Sequence, residues 1–233
     1  MVNPALLLDC GNTRIKYQHP LEKGVIQSDA ELGDLLFRVK ATDVLVADVA
    51  GRYNSVADIC QNKNVNCRQC LVEDSFLGLL LAYKNVSALG VDRWLAMIGA
   101  RALFNQGTTI VIDAGTAVKI DIIDTNGQHL GGSISTGLKL GSQALHKATN
   151  RLPEVTFDFD SKLGTDTKSC ISYGIIMSVV ALIERAMLQF PDSNVVLTGG
   201  DADILHAYLP DTVKVHQDLV LAGMNIYFKQ KNS

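Results

Sequence analysis

Two short acidic turns carry the residue types best suited to chemistry in this sequence. The first acidic turn runs from Asp9 to Thr13 and the second from Asp113 to Thr116, and each contains Asp-x-Gly followed by a threonine within two residues. An apolar run precedes each turn, so each aspartate is predicted to end a buried strand, and the glycine lets a phosphate approach the backbone. This combination suits the binding of a metal-bound polyphosphate. Its repetition suggests two related lobes facing each other across a nucleotide.

Ordinary turn chemistry is the alternative for either motif taken alone, because strands commonly end at aspartate and glycine. Short motifs also match by chance. A second strand-like segment follows each turn, Arg14 to Gln18 and Ala117 to Ile123. The repeated context favours the functional interpretation.

Composition limits the classes of partner. The chain has 233 residues, is 47% hydrophobic and carries a net charge of −3 with few aromatic residues. This size allows one large domain or two small interlocked ones. The sequence has no basic run, which argues against a nucleic-acid groove or an anionic membrane as the partner and favours a small molecule.

We expect a soluble, cytoplasmic protein. The amino terminus lacks the cationic and apolar regions of a signal peptide. The longest uncharged apolar stretch, Cys170 to Ile183, has 14 residues, fewer than a bilayer span needs, and predicts a buried or interface helix. Five cysteines without framework spacing fit a reducing compartment. Cys67 and Cys70 form a CxxC in a predicted strand without zinc-site partners, so they read as structural, as does Cys10.

Strand and helix signals alternate along the chain, which indicates an α/β fold. In the first half we predict strands near Ala5 to Asp9, Arg14 to Gln18, Val25 to Gln27, Asp43 to Asp48 and Val65 to Val72, with helices near Ala30 to Val39 and Tyr53 to Asn62. A helix-rich region from about Asp74 to Phe104 follows. In the second half we predict strands at Thr109 to Asp113, Ala117 to Asp124, His129 to Ser135 and Asn194 to Thr198, with helices near Leu140 to Ala148 and Ala202 to Tyr208.

Other nucleotide and catalytic motifs are missing from the sequence. It contains no GxxxxGK[ST], no G-x-G, no HExxH and no GxSxG, which excludes P-loop, dinucleotide-fingerprint and kinase glycine-loop binding. Gly199-Gly200 follows the predicted Asn194 to Thr198 strand. These two glycines form either a turn that lies over adenine or ribose or a simple loop between a strand and a helix. Phosphate binding would therefore fall to the two acidic turns.

Four motifs in order resemble the type III pantothenate kinase pattern. They are Asp9-Cys10-Gly11-Asn12-Thr13, Gly90-Val91-Asp92-Arg93, Asp113-Ala114-Gly115-Thr116-Ala117 and Gly131-Gly132-Ser133-Ile134. The resemblance covers nearly the whole chain. It implies the fold of actin, sugar kinases and heat-shock chaperone ATPases, which is α/β with two duplicated ribonuclease-H-like lobes and a nucleotide cleft between them. We place the lobes at residues 1–106, with a helical substrate region, and 107–233.

The resemblance also implies an activity, its cofactors and its residues. The family phosphorylates the terminal hydroxyl of pantothenate with ATP, the first step of coenzyme A synthesis, using magnesium and a monovalent cation, potassium or ammonium. Asp92 would accept the hydroxyl proton, Asp9 would lie near magnesium, and Asp113 would bind the monovalent cation. The ATP contacts would be Asp9, Cys10, Gly11, Asn12, Thr13, Arg14, Ile15, Lys16 and Thr116. The pantothenate contacts would be Tyr83, Gly90, Val91, Asp92, Arg93 and Thr167.

Two positions depart from the family pattern. The usual Gly-Gly-x-Ile-x-Pro-Gly has Thr136 in place of proline, which predicts a looser loop. Lys119 replaces a residue that is often threonine, which places a cation close to the proposed nucleotide site and puts the monovalent-ion requirement in question.

Several alternatives remain open. Arg93 either clamps the pantothenate carboxylate or pairs with Asp92 as a structural ion pair. A regulatory or binding protein of the same fold, or a kinase for another small alcohol, would share these turns, and the presence of Asp92 favours an active enzyme. From the apolar Cys170 to Ile183 stretch and from the resemblance we expect an obligate homodimer.

Overall fold

The chain folds as a mixed α/β structure built around two five-stranded sheets. A computed structural model describes residues 5–159 and 162–232. Within that range the backbone separates into two compact units. The first comprises residues 5–77, 83–102 and 219–232, and the second comprises residues 78–82 and 103–218.

The first unit is organised around a sheet with the strand order β3-β2-β1-β4-β5. Its strands are β1 (Leu6–Cys10), β2 (Ile15–His19), β3 (Glu22–Ile26), β4 (Asp43–Asp48) and β5 (Asn66–Gln69). Strands β1, β2 and β3 pair antiparallel, whereas β4 runs parallel to β1 and β5 runs parallel to β4. β1 is therefore the central strand. Its last residue, Cys10, lies between the start of β2 and the end of β4.

The helices of the first unit pack on this sheet and on each other. They are α1 (Asp29–Val39), α2 (Tyr53–Asn62), α3 (Val91–Leu103) and α7 (Leu219–Lys231), with a short strand β6 (Ser75–Phe76) and a 3-10 turn at Val86–Ala88. Cys60 of α2 is buried in the core of this unit, and Cys67 of β5 packs against that core. In this unit Cys67 therefore packs as a structural residue.

α3 approaches α7 so closely that glycine is required at the contact. A Cβ on Gly223 of α7 would collide with the backbone of Leu95 in α3, and a Cβ on Gly99 would meet the carbonyl of Leu219. The Trp94 ring is fully buried, with its centroid 5.5 Å from that of Tyr227 in an edge arrangement. This packing fixes the position of α3 against α7.

The second unit repeats the strand order of the first. Its strands are β7 (Leu79–Leu80), β8 (Thr109–Ala114), β9 (Ala117–Ile123), β10 (His129–Thr136), β11 (Asn194–Thr198) and β12 (Lys214–Val215), and its helices are α4 (Leu138–Ala148), α5 (Thr167–Gln189) and α6 (Ala202–His206). The sheet order is β10-β9-β8-β11-β12, with β8 to β10 antiparallel and β11 and β12 parallel to β8. The two sheets have the same topology, which confirms the predicted duplication.

α5 supplies much of the second core. Seven of its residues are buried at helical spacing: Ile171, Ser172, Ile175, Ile176, Val179, Val180 and Ile183. The helix is longer than the predicted 14-residue stretch, and by length and composition alone it is able to cross a membrane. One such helix is weak support for a membrane span, because core helices pass the same test. The buried side chains that pack into the second core identify it as a core helix.

The remaining predicted elements differ in detail. The region before α3 forms two short strands and a 3-10 turn rather than longer helices, and β5 is shorter than predicted. α7 belongs to the first compact unit because it packs against β1 and β4. The lobe boundaries 1–106 and 107–233 remain a prediction.

Candidate active site

The first acidic turn connects β1 to β2 and exposes polar groups at the end of the sheet. Asp9 lies opposite Lys16 in the antiparallel register. The Gly11 N–H donates to the Arg14 carbonyl at 3.2 Å, which closes the turn. The side chains of Asn12, Thr13 and Arg14 are exposed. A carboxylate, a lysine and a polar turn at one strand end suit a phosphate with its metal.

Two of the predicted nucleotide contacts lie in the core rather than at the surface. Cys10 and Ile15 are buried among the apolar residues of the first sheet. Burial, followed by the negative charges of Asp48 and Asp9, raises the pKa of the Cys10 thiol to about 12. At these two positions only the backbone is available to a ligand, and the Cys10 thiol is unreactive at neutral pH.

Asp48 is an acidic residue at this edge that the sequence analysis did not single out. It ends β4 beside Cys10 of β1, and its carboxylate accepts the N–H groups of Ala50 at 2.9 Å and Tyr53 at 2.8 Å. It therefore anchors the start of α2. The signal was present in the sequence, since an apolar run also precedes Asp48.

The second acidic turn is surrounded by backbone from two glycine loops. The Gly137 N–H donates to the Thr116 carbonyl at 3.0 Å, and the Asp201 N–H donates to the Ala114 carbonyl at 3.0 Å. Gly199 has φ of +102°, and a Cβ there would collide with the Ala114 carbonyl. The Gly199-Gly200 turn thus packs on the second acidic turn, which the sequence left undecided.

The Asp113 carboxylate already has a cationic partner. Lys119 lies opposite Asp113 in the β8–β9 register, and its Nζ is 2.7 Å from Asp113 Oδ2. The first sheet pairs Asp9 with Lys16 at the equivalent position. The duplicated fold therefore places a lysine across from the first-strand aspartate in both sheets.

Asp92 lies in the first turn of α3 with its carboxylate folded back onto the helix N-terminus. Its Oδ1 accepts the backbone N–H of Arg93 at 2.8 Å, and both residues are buried, 9% and 5% exposed. A Cβ on Gly90 would lie 2.6 Å from this oxygen. Glycine at position 90 is therefore what allows the carboxylate to adopt this orientation, where the helix dipole favours negative charge.

The Arg93 guanidinium reaches toward Tyr83. Its Nη1 donates to the Tyr83 hydroxyl at 2.9 Å, and its Cζ lies 5.7 Å from the centre of the Tyr83 ring. The structure thus brings together the predicted pantothenate contacts of the first unit. The planar fork of a guanidinium matches the geometry of a carboxylate.

Thr167 lies in the second unit, at the first residue of α5. Asp166 caps this helix by accepting the N–H groups of Lys168 and Ser169, with Ser169 completing a capping box. Thr167 lines an open groove of about 790 Å³ between α4 and α5. The apolar part of the groove comes from Leu145, Leu152, Ile171 and Ile175.

Asp9 in the first acidic turn fits a divalent metal only together with substrate. Among residues 5–159 and 162–232, no group of three or more His, Cys, Asp and Glu side chains is arranged to hold a metal. Mg²⁺ is commonly held by one or two carboxylates, substrate phosphates and water, so Asp9 suits a magnesium ion that arrives with ATP. Asp113 does not suit a free monovalent cation, because Lys119 already supplies a positive charge there.

Two sheets of this topology, each with an acidic turn after its first strand, define the duplicated ribonuclease-H-like fold of actin-like phosphotransferases. The model of the type III pantothenate kinase family matches residues 5–189, and the chain belongs to that family.

Curated relatives match along nearly the whole chain. The type III pantothenate kinase of Pseudoalteromonas translucida is 31% identical over 230 residues, covering 96% of each chain. That of Marinobacter nauticus is 33% identical over 233 residues, covering 94% of this chain and 96% of its own.

Solved structures show the same fold. A Campylobacter jejuni protein assigned to the Baf family of transcriptional activators aligns with a TM-score of 0.70 and 25% identity, covering 97% of this chain and 98% of its own. A Sinorhizobium meliloti protein assigned as a 2-dehydro-3-deoxygalactonokinase aligns with a TM-score of 0.61 at 14% identity, covering 97% and 99%. The second likeness shows the fold alone.

Proposed function

We propose that this protein transfers the γ-phosphoryl group of ATP to the terminal hydroxyl of pantothenate, forming 4'-phosphopantothenate and ADP. This reaction is the first step of coenzyme A biosynthesis. Family membership supports the activity. We assign the activity to particular residues from one observation: the buried Asp92 carboxylate is oriented at the start of α3, beside the hydrogen-bonded Arg93 and Tyr83.

Asp92 acts as the proton acceptor. Phosphoryl transfer needs mainly positioning and charge neutralisation, because its transition state spreads charge over the equatorial oxygens. Asp92 orients the hydroxyl and takes its proton as the new O–P bond forms and the bond to ADP breaks. General-base assistance of this kind contributes about 10² to 10⁴ in rate, or roughly 3 to 5 kcal/mol.

The acidic turns bind the nucleotide. The first acidic turn and Lys16 contact the phosphates through backbone N–H groups, hydroxyls and the ammonium group, with Asp9 anchoring magnesium. When bound, magnesium neutralises charge on the phosphate oxygens. Thr116 in the second acidic turn supplies a further contact to ATP.

Pantothenate binds through its carboxylate and its hydroxyl. Arg93, held by Tyr83, pairs with the carboxylate in a two-pronged hydrogen bond, which gives orientation as well as affinity. Gly90 and Val91 form the turn that presents Asp92. Thr167 at the start of α5 is a further predicted contact to the substrate.

The working form is a homodimer in the cytoplasm. The face of α5 opposite its buried stripe carries the small residues Gly174, Ser178 and Ala181, which are exposed, and Leu145 in the groove beside it is exposed as well. Small residues let a second helix approach closely, and apolar side chains gain from being covered. A second copy of this chain is the occupant that the family resemblance indicates.

A coupled assay for ADP tests the function directly. Purified protein with Mg·ATP is presented with pantothenate, with other small alcohols such as sugars and glycerol, and with no acceptor. We expect turnover with pantothenate alone. Preference for another alcohol would indicate a different small-alcohol kinase, and nucleotide binding without turnover would indicate a non-catalytic protein.

Asp92→Asn is the decisive variant in this assay. Asparagine keeps an oxygen to accept the Arg93 N–H but cannot take a proton, so we expect turnover to fall by about 10² or more while pantothenate still binds. Asp29→Asn, at an exposed site in α1, serves as the matched control. Near-wild-type turnover of Asp92→Asn would remove Asp92 from the mechanism.

A further inference from the structure

The ion pair between Lys119 and Asp113 occupies the position that the family resemblance assigns to a monovalent cation. Lys119 Nζ lies 2.7 Å from Asp113 Oδ2, and the two side chains are only 20% and 16% exposed. Partial burial shields the pair from water and salt, so it is not a loose surface contact.

Strand register makes this pair a fixed feature of the fold. Asp113 of β8 faces Lys119 of β9 directly in an antiparallel pair, where opposed side chains lie on the same face and within reach. Val118 and Ile120, on either side of Lys119, are buried in the second core and hold β9 in this register. A slip of one residue would expose both, so the lysine cannot leave its place across from Asp113.

A free K⁺ or NH₄⁺ ion at Asp113 would have to stand beside an ammonium group of the same charge. Repulsion between like charges in a half-buried site is strong, and Asp113 Oδ2 is already engaged. Within the described part of the chain no group of three or more His, Cys, Asp and Glu side chains is arranged to hold a metal ion. The site therefore does not fit a mobile cation in addition to Lys119.

We propose that the ammonium group of Lys119 replaces the monovalent cation, so that this enzyme works without K⁺ or NH₄⁺. The ammonium group of lysine has the same charge as these ions and a chemistry close to that of NH₄⁺. Because it is covalently part of the chain, it occupies the site at any concentration of K⁺ or NH₄⁺. Lys119 is thus a positioning residue: it neutralises Asp113 and fixes the carboxylate beside Gly115 of the second acidic turn.

This inference rests on the proposed pantothenate kinase activity, and the first experiment measures salt dependence. Pantothenate-dependent ADP formation is followed in choline chloride at constant ionic strength, with KCl or NH₄Cl substituted stepwise. We expect the wild-type rate to change by less than about twofold. Lys119→Thr should lose about tenfold or more in choline and recover most of it in KCl, because the vacated carboxylate now accepts an ion. Lys139→Thr, at an exposed site in α4, should behave as the wild type.

The second experiment does not use kinase activity. Equilibrium dialysis with thallium(I), a surrogate for K⁺, counts ions bound per chain in the absence of nucleotide, and thermal unfolding is compared in KCl and choline chloride. We expect no stoichiometric thallium and no KCl-specific stabilisation for the wild type, and about one ion per chain for Lys119→Thr.

The outcomes separate the two proposals. A wild-type enzyme that needs KCl, or that binds one thallium ion lost in Asp113→Asn, overturns the role of Lys119 while leaving the kinase activity intact. Absence of pantothenate phosphorylation in every salt overturns the proposed function, and the dialysis measurement still decides whether Lys119 excludes the ion. If Lys119→Thr fails to fold, wild-type salt dependence and thallium binding alone decide the question.

Discussion

Gly90 controls where the Asp92 carboxylate lies. A Cβ at position 90 would come within 2.6 Å of Asp92 Oδ1, the oxygen that accepts the Arg93 N–H. Gly90→Ala should therefore displace the carboxylate while leaving the fold intact, because the obstructed atom is the end of a side chain. We expect turnover to fall by about tenfold or more with little change in melting temperature, since small misplacements of a catalytic group are costly.

Steady-state kinetics together with thermal unfolding measure this effect. Gly33→Ala in α1, where the nearest atom to a new Cβ is 3.9 Å away, is the matched control and should keep full turnover. Unchanged turnover in Gly90→Ala would mean that the orientation of Asp92 seen here does not matter for the reaction.

The Tyr83 hydroxyl tests what Arg93 does. Tyr83→Phe removes the acceptor for Arg93 Nη1 and leaves the ring beneath the guanidinium. If Arg93 clamps the pantothenate carboxylate, losing the hydrogen bond that orients its guanidinium should weaken pantothenate binding by about 1 kcal/mol. The KM for pantothenate should then rise by about fivefold, with kcat within about twofold. Tyr53→Phe in α2 is the control. A loss of stability with an unaltered KM would instead support a structural role for Arg93.

The loop between β11 and α6 packs against the second acidic turn, and glycine at position 199 makes this contact possible. Gly199 has φ of +102°, and a Cβ there would strike the Ala114 backbone, whereas Gly131 has φ of +121° with nothing within 4 Å. Both alanine variants bear backbone strain, but only Gly199→Ala also has a collision. We expect destabilisation of roughly 2 to 4 kcal/mol for Gly199→Ala against about 1 kcal/mol for Gly131→Ala.

Chemical denaturation with an ATP titration separates the two variants. Gly199→Ala should also weaken ATP binding, because the displaced loop disturbs the turn that carries Thr116. Equal losses of stability in the two variants would show that the loop yields without cost and that its contact with the second acidic turn is unimportant.

Assembly of two chains is tested at the exposed face of α5. Val179 is buried in the core, so a charge there would unfold the protein for reasons unrelated to the dimer. Gly174 is exposed, and a Cβ there meets nothing within 4 Å. Gly174→Glu should therefore leave the isolated chain stable, since glutamate favours helix more than glycine does. If a second copy covers α5, the variant should be monomeric and nearly inactive.

Sedimentation velocity and the kinase assay at matched concentrations give the result. Gly33→Glu places the same charge on another helix glycine with room for it, and this control should remain a dimer with full activity. A dimeric and active Gly174→Glu variant would show that α5 does not form the interface, and an active monomer would show that assembly is unnecessary.

Local sequence determined most of the elements, the duplication and the candidate residues, although it predicted neither α7 nor the two short strands before α3. Apolar runs that end in Asp-x-Gly predicted β1 and β8 with their acidic turns, and the alternation of strand and helix signals predicted the α/β class. These features follow from neighbouring residues, because hydrophobic periodicity and turn chemistry act over a few positions. The order of four motifs pointed to the correct family. The roles of the individual site residues remain predictions.

Tertiary structure decided how distant residues meet. Strand register placed Lys119 on Asp113, the β11–α6 loop brought Gly199 against Ala114, and Asp92 folded back over the start of α3. It also assigned α7 to the first unit, far in sequence from β1. None of these contacts follows from local preference, because each depends on which strands pair and which helix faces are buried. The sequence thus revealed that a lysine was near the second acidic turn, and only the register of β8 and β9 revealed that its charge is paired with Asp113.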